Sequence, residues 1–179
     1  MNPKALIKLP SSTYNDLWAH LQPKNPKYEE VAFVYAHQES IDGSQIFHCS
    51  EWFAVPPTGF ESRSKYHLEL SDETRASVIK RAHELSATLI EFHSHIGPWP
   101  ARFSISDLLG FEEFVPHVLW RLKSRPYLAV VVAKSGFDGF VWQYDANNPD
   151  YIEGIIIEDK ILKTTKLSPL RLKEDERTL

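Results

Sequence analysis

Apolar and polar positions fall into short stretches along the chain, each with its own period. Leu6 to Leu9 is a brief apolar start that predicts a short edge strand ending at Pro10. Ser11-Ser12-Thr13 offers N-cap residues, and Tyr14, Leu17, Trp18 and Leu21 follow at spacings of three and four, which predicts an amphipathic helix stopped by Pro23 and Pro26. Tyr28 to Ala36 reads as a buried strand with Glu29 and Glu30 at its entrance, and Asp42-Gly43 predicts a hairpin turn into a partner strand over Gln45 to Val55. Phe60 to Lys65 is polar and loop-like, and Tyr66 to Leu70 alternates as a further strand.

The second half repeats the mixture. Ser71-Asp72-Glu73 opens a helix with acidic residues at its positive end, and Val78, Ile79, Ala82 and Leu85 form its apolar stripe. Ala87 to Phe92 is mostly apolar and partly β-branched, so it predicts a strand ending at His93. Ile96 to Pro100 must be a loop; Ser104 begins a helix carrying Leu108, Leu109, Phe111 and Phe114, broken near Pro116. Tyr127 to Ala133 is an almost unbroken apolar run, as a central strand requires. Phe140 to Tyr144 returns beside it, and Tyr151 to Leu162 forms a terminal strand or hairpin. Helix, strands, helix, strand, helix, strands: this order predicts an α+β fold around one mixed sheet. We read 1–167 as a single domain and 168–179 as a charged, frayed tail.

Composition narrows the function classes. The chain has 179 residues, of which 42% are hydrophobic and 25% charged, a globular balance rather than a disordered one. A net charge of −4 argues against a dedicated nucleic-acid binder. Cys49 is the lone cysteine, so no intrachain disulfide can form. Without a signal-peptide core or an apolar run near a membrane span, the expectation is a cytoplasmic protein with no membrane partner.

Candidate chemistry gathers in His93-Ser94-His95 and the Ser104-Ile105-Ser106-Asp107 that follows. Side chains alternate along a strand, so His93 and His95 point to one side. With Asp107 from the next element they make two imidazoles and one carboxylate, the ligand set of a catalytic zinc with an open fourth position. Ser104 and Asp107 also have the spacing of a capping box, although Glu or Gln is the usual third-position partner, and both roles can hold together. Hydrolysis at zinc further needs a base that is not a ligand. Glu29 and Glu30 are the candidates, with a solvated strand end as their plain alternative.

Glu, then His-Ser-His, then Ser-x-x-Asp resembles the pattern of the JAB1/MPN/Mov34 (JAMM) metalloproteases, most closely the prokaryotic JAB proteins. The resemblance covers roughly Glu29 to Tyr144. It implies the MPN (cytidine-deaminase-like) α+β fold, a mixed β-sheet flanked by helices. It implies that His93, His95 and Asp107 bind Zn2+, that Glu29 is the general base and that Ser104 supports the tetrahedral intermediate. Glu29 is preferred to Glu30 because it sets small residues at Ala32 and Ala36, as in the family's strand; Ser106 competes with Ser104. The chain departs in two places. Ile96 stands where the family often has proline after the second histidine, and eight residues rather than the usual seven separate His95 from Ser104.

The function so implied is a zinc-dependent isopeptidase or peptidase acting at the C-terminal tail of a ubiquitin-like protein, in conjugate removal or precursor processing. Some prokaryotic relatives accompany bacterial ubiquitin-like conjugation systems, antiviral ones among them, so E1-like and E2-like proteins are the further partners implied. Two alternatives stand beside it: a non-catalytic MPN-type scaffold, and a JAB peptidase of sulfur-carrier metabolism. Trp99, in the loop next to the ligands, either packs over the site or points to water.

Overall fold

A computed structural model describes residues 2–123 and 125–178. Ten strands and three α-helices follow in the order β1 (Lys4–Lys8), α1 (Ser11–Leu21), β2 (Val31–Ile41), β3 (Ser44–Ala54), β4 (Phe60–Arg63), β5 (Leu68–Leu70), α2 (Asp72–Glu84), β6 (Thr88–Ser94), α3 (Ile105–Arg121), β7 (Tyr127–Ala133), β8 (Gly136–Trp142), β9 (Asp150–Ile157) and β10 (Lys160–Lys163). Short 3-10 turns occupy Pro57–Gly59 and Glu174–Thr178. Local chemistry explains most of these bounds. Asp42 and Gly43 both have positive φ, 48° and 76°, as a tight hairpin turn of this hand needs. Ser71 caps α2 by accepting the Thr74 N–H, and Asp72 and Glu73 sit at its positive end.

The sheet is where expectation and structure part. Strands pair in the order β1-β3-β2-β6-β7-β8-β9, and β1 also pairs with β9, so seven strands close into a barrel with β10 added on β9. The expected MPN α+β architecture, an open mixed sheet flanked by helices, is therefore incorrect for this chain. The physical cause is β1. Expected at an edge, it instead lies parallel to β3 on one side and to β9 on the other. Closure leaves no free edge among the barrel strands. Gly154 permits the close approach of β10 to β9, because a Cβ there would collide with the Leu162 carbonyl.

Two apolar layers follow from closure. The lumen is filled by alternate residues from every barrel strand, among them Ile7, Val34, Phe47, Phe92, Val130, Phe137 and Ile155, with Leu17 and Leu21 of α1 packed into the same cluster. Outside, Phe33, Leu89, Ala129, Val131 and Phe140 meet Val78 and Ile79 of α2 and Phe111, Val115 and Val118 of α3. Burying these large side chains contributes about 1.5–3 kcal/mol apiece before entropy is counted.

Three smaller expectations also change. Phe60–Arg63 is a strand paired with β5, not a loop. The 3-10 turn at Glu174–Thr178 and the ion pair of Arg177 with Glu112, at 2.8 Å, give the tail more order than fraying implies. Helix α3 also runs through Pro116 without a break. Proline costs that helix a hydrogen bond, but Val115, Val118 and Leu119 are buried on either side and hold the turn in place. Among the described residues, no helix is long and apolar enough to cross a membrane.

Candidate metal centre

Strand β6 lies between β2, antiparallel, and β7, parallel. Its lumen face carries Ile90 and Phe92, and its outer face carries Glu91 and His93. The ladder continues past the strand end: Ser94 N–H donates to the Glu30 carbonyl (2.9 Å) and His95 N–H to the Val132 carbonyl (2.8 Å). His95 is thus held in β geometry although it lies just outside the strand. The Gln22 amide, at the end of α1, donates to the Val132 carbonyl at 3.0 Å and reaches the His95 carbonyl at 3.4 Å. Side-chain alternation keeps the two imidazoles neighbours, with ring centroids 5.1 Å apart.

Asp107 comes from the first turn of α3. Ser104 is the N-cap, and the capping box is complete. Ser104 Oγ accepts the Asp107 N–H (3.1 Å), and the Asp107 carboxylate accepts the Ser104 N–H (2.7 Å) and hydroxyl (2.8 Å). These bonds aim the carboxylate at the histidines. Asp107 Oδ1 stands 3.4 Å from His93 Nε2, and Oδ2 stands 3.1 Å from His95 Nε2.

His93, His95 and Asp107 each offer one ligand atom, all within 4.8 Å of one another, and together could hold a metal ion. Two observations fit a cation. His93 is 2% exposed, and neither of its ring nitrogens has a hydrogen-bond partner of good geometry. A tetrahedron with metal–ligand bonds of about 2.0–2.1 Å has edges of roughly 3.3–3.4 Å, close to the two separations above, each of which uses a different oxygen of Asp107. The electrostatics agree. Burial would push the His93 imidazolium down, but Asp107 and Glu91 outweigh burial and raise it to about 10. Burial opposes ionisation of Asp107 too, yet His93 and His95 hold its carboxyl well below the usual range. Both directions favour a positive charge among these groups.

Glu29 and Glu30 separate cleanly. Glu29 is buried and lines the same cleft as His95, Ser104 and Asp107. Burial raises its carboxyl above the ordinary value, against the pull of His95 and His93. Glu30 turns away to pair with Arg63 at 2.8 Å, and its N–H donates to Ser94 Oγ at 2.8 Å. Arg63 is in turn stacked over the Tyr28 and Phe60 rings. Ser106 reaches the cleft wall, but the capping bonds belong to Ser104.

The cleft measures about 470 Å³. Tyr66, His67 and Leu68 form one wall, Trp99 and Pro100 a second, Ile105 and Leu108 a third, and Pro169, Leu172 and Glu176 a fourth. Trp99 is 64% exposed, and its ring lies against the Gly97 backbone, where any Cβ would strike it. It forms part of the rim and also meets water. Sequence reasoning missed the wall from 66–68 and the wall from 169–176, which no motif marks. It also missed Glu91, which strand alternation from His93 could have found.

No family model matches the chain, and no curated protein matches it.

Proposed function

We propose that this chain is a zinc-dependent hydrolase that cleaves a peptide or isopeptide bond at the C-terminal tail of a ubiquitin-like protein. The observation that carries the reading is one cleft lined by His95, Asp107 and a buried glutamate, Glu29, with His93 buried behind it to complete the three-residue group. The JAMM-like motif supports it; the fold is not part of the support. Zinc suits two imidazoles and a carboxylate, and when bound it supplies Lewis acidity to a water molecule and to a substrate carbonyl.

The protein's own groups then have distinct tasks. Glu29, its proton affinity raised by burial, takes a proton from the attacking water and returns it to the leaving nitrogen. Ser104 now donates its hydroxyl to Asp107; turned from there, it is the donor available to a developing oxyanion. An extended tail suits a cleft bordered by the short strand β5 and rimmed by Tyr66 and Trp99. E1-like and E2-like proteins of the same system are the further partners proposed.

The experiment has two parts. Purified protein is expected to carry about one zinc, which His93→Ala loses. A ubiquitin-like protein fused through its tail to a reporter is expected to be cleaved, with Glu29→Gln retaining zinc and losing about 10²–10⁴-fold in rate. Glu30→Ala should stay active. Full zinc with no cleavage of any tail would favour a partner-binding scaffold, and cleavage confined to sulfur-carrier proteins would move the substrate to that class. Retained zinc in His93→Ala would end the reading.

A further inference from the structure

Strand β6 and its continuation at His95 set three polar side chains on one face, Glu91, His93 and His95, and the proposed reaction uses only two. Glu91 is costly where it stands. Its side chain is 13% exposed, on the face of the sheet that packs under α2 and α3. One oxygen, Oε2, accepts the hydroxyl of Tyr127 at 2.7 Å. Tyr127 is fully buried on β7 and lies in register with Leu89, so strand pairing fixes where the hydroxyl arrives. The other oxygen, Oε1, lies 3.4 Å from His93 Nδ1. Across the ring, His93 Nε2 faces Asp107 at 3.4 Å. The imidazole is therefore flanked by two carboxylates, one near each nitrogen, both at ion-pair distance without a formed hydrogen bond.

We infer that Glu91, braced by Tyr127, is a positioning residue that keeps the His93 proton on Nδ1 and presents bare Nε2 to the metal. A neutral imidazole carries one proton, and the ligand nitrogen must be the other one. An anionic acceptor at Nδ1 selects that tautomer, fixes the ring plane and makes Nε2 a stronger donor. Bracing Tyr127 alone would need only a neutral acceptor, so a full charge in this setting answers to His93. Asp107 meets the opposite nitrogen and cannot do the same task. The inference rests on reading His93, His95 and Asp107 as a metal centre.

The test is metal affinity in Glu91→Gln, which keeps size and acceptor but removes the charge. Cobalt(II) uptake is followed by its visible absorption, and zinc affinity by competition with a chelator. Affinity is expected to fall about 10–100-fold with an unchanged far-UV spectrum, the usual cost of losing such a partner. Tyr127→Phe, which leaves the charge and removes only the brace, should lose less. The nitrogen assignment is read directly in wild-type, zinc-loaded protein from ¹⁵N–¹H histidine correlations, and Nδ1 of His93 should carry the proton. A Gln variant within twofold of wild type, or zinc on Nδ1, overturns the inference while leaving the metal centre intact. Should the Gln variant fail to fold, the nitrogen assignment decides alone. Wild-type protein that takes up neither metal overturns the centre itself.

Discussion

Asp138 and Asp107 are carboxylates that each bind a chain segment together, and they are satisfied in opposite ways. Asp138 is fully buried on β8 and accepts three backbone N–H groups, from Gly139 (3.0 Å), Lys166 (3.1 Å) and Ser168 (2.9 Å). The segment it holds reaches back to the site loop: Thr165 donates to the Ala101 carbonyl (2.7 Å), and Ser168 Oγ accepts the Phe103 N–H (2.8 Å). Asp107 has the Ser104 N–H and hydroxyl, but its other neighbours are two imidazoles, one of them without a well-formed hydrogen bond. Backbone dipoles can neither titrate nor leave. Imidazoles can exchange a proton for a metal. Asp138, met by backbone dipoles, is a clasp; Asp107, met by two imidazoles, belongs to a group that could hold a metal ion.

Substitution should separate the two. Asp107→Ala is expected to drop zinc content from about one equivalent to near zero, read by metal analysis of folded protein. Asp138→Ala should leave His93, His95 and Asp107 in place and instead cost about 3 kcal/mol in urea unfolding, since three buried donors lose their acceptor. If Asp138→Ala lost zinc without losing stability, the distinction would fail.

Acidity sharpens the contrast further. His93 is raised from an ordinary 6.5 to about 10, so a metal entering near neutral pH must displace a proton. Zinc affinity is therefore expected to rise about tenfold per pH unit from pH 7 toward pH 9, one proton being released per metal. Stability of the metal-free protein should run the other way. A group whose pKa is higher folded than unfolded stabilises fully below its unfolded value, and that contribution is lost as pH climbs through the folded one. Chelator-treated protein should weaken between pH 7 and pH 10, and parallel slopes for affinity and stability would sink this account. The smallest effect belongs to Ser168→Ala, expected to cost about 1 kcal/mol by removing the acceptor of the Phe103 N–H. Zinc affinity should change little there.

Much of the site was legible because it is local. His93 and His95 share a face by strand alternation alone, and Ser104 with Asp107 carries the spacing of a helix cap, which is what α3 uses. Glu91 obeys the same alternation, but only the tertiary structure sets the Tyr127 hydroxyl beside it. Glu29 against Glu30 was beyond local reach. Their separation depends on Arg63, more than thirty positions along the chain, which claims Glu30 and leaves Glu29 to the cleft. The run through Pro116 belongs here too: local chemistry favours a break, and burial of Val115, Val118 and Leu119 overrides it.

By itself, then, the sequence determined most of the elements and the parts of the His93, His95 and Asp107 group, because period and capping are set by covalent geometry over a few residues. Only the tertiary structure decided that the sheet closes. That depends on Ala5 to Lys8 meeting Ile152 to Ile156, a pairing across nearly the whole chain. No short-range pattern encodes such a partner, because its cost is loop closure and its reward is a lumen filled from seven strands at once. The same closure sets β6 in place beneath α3, and so turns two histidines and a helix cap into one centre.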